Sequence, residues 1–96
     1  MYLITYTPQA EDDLFEIVLY YTEQGGLNLG ESVSNRIKNH IDTMEQFPYR
    51  TAESELIDEA RVLIIKNLPF KAFVYIEETA KKVHILRILH TSRKFP

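Results

Sequence analysis

The 96-residue chain contains no cysteine. Disulfides, thiolate metal sites and thiol nucleophiles are therefore excluded. No apolar run approaches the roughly 18 residues needed to span a bilayer. The opening Met1-Tyr-Leu-Ile-Thr-Tyr6 has no basic region of the kind that begins a signal peptide, so the expected location is the cytoplasm. Glycine is scarce, and all three glycines (Gly25, Gly26, Gly30) fall close together. That leaves no Gly-rich loop to cradle a phosphate, and no serine sits in a nucleophile elbow. The histidines are His40, His84 and His90. No carboxylate is spaced with His40 as a metal motif requires. His84 and His90, six apart on one expected strand, would share a face but lie roughly 20 Å apart. Neither a metal nor any other cofactor is expected.

What is present is an ordinary globular composition, 45% hydrophobic and 26% charged, enough for one domain over residues 1–96. The net charge of -3 hides a division. Residues 1–60 carry three basic side chains (Arg36, Lys38, Arg50) against twelve acidic ones. Residues 61–96 carry eight basic side chains against two acidic, Glu77 and Glu78. Such asymmetry fits either a partner on one side or internal pairing of the two halves.

The basic third reads as three strands, Arg61–Lys66, Phe70–Glu77 and Lys82–His90, rich in β-branched and aromatic residues. Short turns at Asn67-Leu-Pro69 and Glu77-Glu-Thr-Ala-Lys81 join them as an antiparallel meander. Upstream, Tyr2–Tyr6 alternates as a first short strand. Thr7-Pro8 supplies an N-cap and a first-turn proline, with Glu11, Asp12 and Asp13 in the early turns. Ala10, Leu14, Ile17, Val18 and Tyr21 form one apolar stripe, which Phe15, Leu19 and Tyr20 widen, predicting a helix covered on more than one side. Gly25-Gly26 ends it. A second helix is expected from about Asn28 to Gln46, with the stripe Leu29, Val33, Ile37, Ile41 and Met44, stopped by Phe47-Pro48. The two should pack as an αα-hairpin. Tyr49–Ala60, acidic and irregular, reads as a crossover loop anchored by Leu56-Ile57, or as a turn lying over the basic sheet. The expected fold is a two-layer α+β domain, β-α-α-β-β-β, with the helical hairpin packed on an antiparallel sheet.

Lys71, Phe73 and Tyr75 should share one side of their strand, with Arg61, Arg87, His90 and Arg93 near in sequence. Cations interleaved with aromatics can hold phosphates and stack bases. Metal-free RNA cleavage needs a base, an acid and cations for the phosphate; His90 or Lys71 with Arg61 and Arg93 would supply them. Phe73 and Tyr75 serve equally as core or sheet-face residues, and strand lysines guard against aggregation. Arg87, inside Ile85-Leu-Arg-Ile-Leu89, must face solvent, a buried acid or a partner; an ion pair with the acidic loop and a functional role both fit.

Val83–Pro96, together with Arg61 and Phe70–Tyr75, resembles the RelE/ParE superfamily of type II toxin–antitoxin toxins, and nearly the whole chain follows that family's plan. The most specific piece is the ending His90-x-x-Arg93-x-Phe95-Pro96, of a kind typical of the ParE side. The resemblance implies one of two activities: poisoning of DNA gyrase, or ribosome-dependent mRNA cleavage. It also implies a cognate antitoxin whose C-terminal segment wraps the toxin, with the complex repressing its own operon, and a role in plasmid stabilization. The family's basic residue before its tyrosine falls on Lys71, and the tyrosine on Tyr75. Target- or antitoxin-binding residues would be Arg61, Lys71, Tyr75, Arg87, His90, Arg93 and Phe95. The RelE-like catalytic cluster is not cleanly reproduced, and a sequence pI near 5.6 suits a protein target better than the phosphate-dense ribosome. The expectation is a ParE-like gyrase inhibitor without catalysis of its own and without specific DNA binding alone. The alternatives are a RelE-like endoribonuclease acting on ribosome-bound mRNA and a non-toxic antitoxin-binding member.

Overall fold

A computed structural model describes residues 1–55 and 57–92. The expectations for Arg93 and Phe95, and for Leu56 as part of an apolar anchor, lie outside the described residues. The order is β1 (Leu3–Tyr6), α1 (Pro8–Gly25), α2 (Leu27–Asp42), a 3-10 turn (Thr43–Glu45), β2 (Ala52–Glu53), β3 (Ala60–Ile64), β4 (Phe70–Glu77) and β5 (Lys82–His90). The helical hairpin lies on one face of a five-stranded sheet ordered β1-β5-β4-β3-β2.

The start of α1 follows from its sequence. Thr7 is extended (φ -70°, ψ 159°), and its Oγ1 accepts from the Ala10 N–H at 3.1 Å while donating to the Leu86 carbonyl at 2.8 Å. Pro8 occupies the first turn, where a missing N–H costs nothing. Ala10 is fully buried, and Leu14, Ile17 and Tyr21 pack against the core. The wider stripe is corrected: Phe15, Leu19 and Tyr20 are exposed, because sheet and α2 cover only one side of α1. From α2, Val33, Ile37 and Ile41 are buried, followed by Met44 in the 3-10 turn. They meet Leu63 and Ile65, Ala72 and Val74, and Val83, Ile85 and Ile88 from the sheet.

Between the helices, Gly26 sits at φ 92°, a conformation that disfavours any side chain. Gly30 is buried against α1; a Cβ there would fall 2.0 Å from Thr22 Oγ1 and 3.2 Å from the Val18 carbonyl. The close approach of the two helices thus requires glycine at this position.

The meander is antiparallel as expected, with β3 starting one residue earlier than the sequence suggests. Two features depart from expectation. The sheet is mixed, because β1 pairs parallel to β5 (Leu3↔Lys82 to Tyr6↔Ile85), and the stretch read as crossover loop contributes β2, two residues paired with β3. Alternation specifies which face of a strand is buried but not its neighbour. The second departure is a bulge. Val74 pairs with Ile85 and Phe73 with Arg87, leaving Leu86 as an extra residue on β5. It reverses the alternation beyond it. His84 opposes Tyr75 on the outer face, whereas His90 opposes Phe70, a core residue. The expectation that His84 and His90 share a face is therefore corrected.

Gly30→Ala should lower stability by about 1–3 kcal/mol through overpacking. Thermal unfolding followed by circular dichroism should show the drop, and Thr22→Ala in the same chain should recover part of it.

Candidate functional site

On β4, Phe70, Ala72 and Val74 point into the core, so Lys71, Phe73 and Tyr75 share the face away from the helices, as predicted. Tyr75 stacks on His84 of β5, ring centroids 6.1 Å apart and planes 16° from parallel. His84 is held from both sides: Nδ1 lies 2.7 Å from Thr5 Oγ1 on β1, and Nε2 lies 2.8 Å from Glu77 Oε1 on β4. This network ties three strands together. No local pattern of residues announces it, because the opposition of Tyr75 and His84 exists only once the register is known. Lys71 donates to the Thr91 carbonyl at 3.3 Å, and its Nζ lies 5.4 Å from the Phe73 ring centroid. Phe73 itself is buried, not available for stacking bases.

Arg61 lies two residues before the core residue Leu63 on β3, so it shares that face and points away from the side that carries Lys71. Its Nε donates to Thr51 Oγ1 at 2.6 Å and its Nη2 to the Thr51 carbonyl at 2.7 Å. Glu53 is 3.9 Å away, and the Tyr49 ring centroid lies 5.3 Å from the guanidinium. A pocket of about 410 Å³ gathers Arg61 and Tyr75 with Tyr49, Glu53, Asp58 and Glu59. The acidic stretch thus does reach the basic sheet, at its β3 end. Beside it, the Glu78 carboxylate accepts from Tyr49 OH (2.6 Å) and Tyr2 OH (2.8 Å) and pairs with Lys81. These bonds, that of Lys81 foremost, hold the Glu78 carboxyl down at about 2, below its ordinary 4.5.

Arg87 does not pair with the acidic loop. It reaches Asp13 on α1, with Nε donating to Oδ2 at 2.7 Å and Nη2 to Oδ1 at 3.0 Å. The same Oδ2 accepts from the Ile88 backbone N–H at 3.0 Å. β1 has ended by this point, so Asp13 serves a strand edge that, among the described residues, no neighbouring strand satisfies. The sequence offers Asp13 as a helix-start acid, and its second task depends on where α1 crosses β5. With side chains only 22% and 12% exposed, this pair is better shielded than a surface ion pair. Next to it, His90 is exposed, its ring 5.8 Å from Phe70 edge-to-face and its Nδ1 2.8 Å from Ser92 Oγ.

The described members of the ribonuclease set are kept apart. Lys71 faces away from the helices, while Arg61 and His90 share the other face at separate ends of the sheet, two strands apart. Among the described residues no group of acids and histidines is placed to hold a metal ion. No helix among them is long and apolar enough to cross a membrane.

A helical hairpin backed by this sheet order is the architecture of RelE/ParE toxins. The chain is similar to one from the chromosomal ParDE toxin–antitoxin system of P. aeruginosa, with 25% identity, a TM-score of 0.82, and 94% of this chain and 96% of that one covered. It shares its fold with a chain of the intact E. coli RelBE toxin–antitoxin complex at 10% identity (TM-score 0.71, coverage 97% and 100%). A chain of the RelBE2 complex from Mycobacterium tuberculosis is likewise similar, at 17% identity (TM-score 0.61, coverage 93% and 90%). A search among curated proteins returns no match. Against protein families, residues 4–95 match the ParE toxin of the type II toxin–antitoxin system, parDE. The chain belongs to that family.

Asp13→Ala strands both Arg87 and the Ile88 N–H, and should cost about 2–4 kcal/mol in urea unfolding. Asp13→Asn, which keeps an acceptor, should cost less. The depressed Glu78 carboxyl fixes a sign as well. Its stabilisation is fully present above about pH 4.5 and is lost as pH falls toward about 2. The stability difference between wild type and Glu78→Gln should therefore stay constant from neutral pH to about 4.5 and shrink below it.

Proposed function

We propose that this ParE-family toxin inhibits DNA gyrase, and so replication, in the cytoplasm, and that a cognate antitoxin holds it off. The observation that carries the reading is the match to the ParE toxin family along residues 4–95. The separation of Arg61, Lys71 and His90 supports a toxin that acts by binding rather than by cleaving RNA. So does the acidic balance of the chain, which suits a protein target better than a phosphate-dense one.

The antitoxin has two docks. One is the exposed apolar side of the hairpin, with Phe15, Leu19, Leu27 and Leu29; the other is the open edge of the sheet beyond two-residue β2. Helix-in-groove and strand addition are the matching modes. Where the antitoxin crosses Lys71 and Tyr75 it should be acidic. Target contacts are assigned to Arg61, Lys71, Tyr75, Arg87, His90, Arg93 and Phe95.

Purified toxin added to gyrase and relaxed plasmid should block supercoiling and trap cleaved DNA, and prior mixing with antitoxin should relieve both. No inhibition and no cleavage complex would end the gyrase reading. Primer extension on translated mRNA should show no new cuts at ribosomal A sites; cuts there would instead establish the ribonuclease. Absence of both effects, with antitoxin binding intact, would mark a member without toxicity.

A further inference from the structure

Where α1 crosses the second half of β5 the surface opens into a cleft of about 490 Å³, a size typical of ligand sites. Ile17, Tyr20, Phe70 and Leu89 line its walls, with Glu16 and His90 among its polar groups. Its aromatic side is a continuous series of edge-to-face rings: Tyr20 to Tyr21 at 5.2 Å, Tyr21 to Phe70 at 6.2 Å, and Phe70 to His90 at 5.8 Å. Tyr20 is 57% exposed on a helix whose core-facing positions are already filled by Leu14, Ile17 and Tyr21. Tyr20 touches the Tyr21 ring but is not part of the core.

Among the described residues the side chains that line the cleft are net acidic. Asp13 and Glu16 both line it, and one guanidinium, Arg87, stands against the two carboxylates. α1 itself carries no basic residue. An anionic rim beside an exposed ring selects a cation on an apolar stem. The structure assigns this cleft to an arginine or lysine side chain of the antitoxin, its stem against the Tyr20 ring and its charged head at Glu16. This assignment rests on the antitoxin reading above and sharpens it: the antitoxin is acidic where it meets Lys71 but carries a cation where it passes α1. The antitoxin is favoured as occupant because the dock given to it above uses exposed residues of the same helix, Phe15 and Leu19.

Calorimetric titration of the purified toxin with the protein encoded beside it tests the assignment. Glu16→Lys should weaken binding by about tenfold or more at low salt, with the loss shrinking as salt rises. Tyr20→Ala should weaken it at all salt concentrations. Both sites are on the surface, and unchanged circular dichroism would show that the fold is kept. Lysines and arginines of the antitoxin replaced singly by Glu should include one whose loss of affinity is restored by Glu16→Lys. Wild-type affinity in both toxin variants, or no restoring partner, overturns the assignment and leaves the toxin reading intact. Lost gyrase inhibition with unchanged antitoxin binding also overturns it, by giving the cleft to the target. If wild-type toxin fails to bind its neighbour at all, the antitoxin reading itself falls, and the cleft's occupant with it.

Discussion

The first two turns of α1 are fastened to β5 at the place where β1 runs out, and the rest of the molecule is arranged around that junction. The Thr7 N–H donates to the Ile85 carbonyl at 3.0 Å, and its hydroxyl reaches the next carbonyl, that of Leu86. Asp13, six residues on, takes the Ile88 N–H and the Arg87 guanidinium. The first of these points includes Leu86, the extra residue of the β5 bulge. An isolated helix of 18 residues is only marginally stable in water, so its position depends on such tertiary anchors. With α1 fixed, α2 follows through the tight Gly30 contact and brings Val33, Ile37 and Ile41 onto the sheet.

The junction also sets what the basic half can do. Positive charge in residues 61–92 is less free than the composition suggests. Arg61 is taken up by Thr51, Lys81 by Glu78, Arg87 by Asp13, and Lys71 reaches the Thr91 carbonyl. The opposite charges of the two halves are therefore partly used inside the molecule. Net negative charge is left on α1, and the outer sheet face carries the aromatic and histidine pair Tyr75 and His84. A ParE-family toxin that works by shape and selective contact with proteins fits this distribution better than one that must gather RNA phosphates.

Much of this fold was legible in the residues. Thr7-Pro8 marked the helix start, the period of nearly four marked α2, and the β-branched runs marked β3 to β5, because each is a local preference that packing reinforces. Lys71, Phe73 and Tyr75 on one face followed from alternation alone. The misreadings all involve choices that are not local. Whether β1 joins β5 in parallel is decided by the edge on offer, not by Leu3–Tyr6. The bulge at Leu86 leaves no mark in Ile85-Leu-Arg-Ile-Leu89, yet it turns His90 toward Phe70. Phe15, Leu19 and Tyr20 read as buried because apolar character on a helix signals either a core or a partner, and sequence alone does not separate the two.

The most direct test of the α1–β5 junction is native-state amide hydrogen exchange at Ile88. Its N–H points to an edge that β1 does not cover, so its protection depends on the Asp13 carboxylate. The account predicts exchange as slow as that of the interior amides of β4. Exchange at the rate of a frayed, solvent-facing edge would contradict it, and would mean that α1 is not anchored where the fold requires.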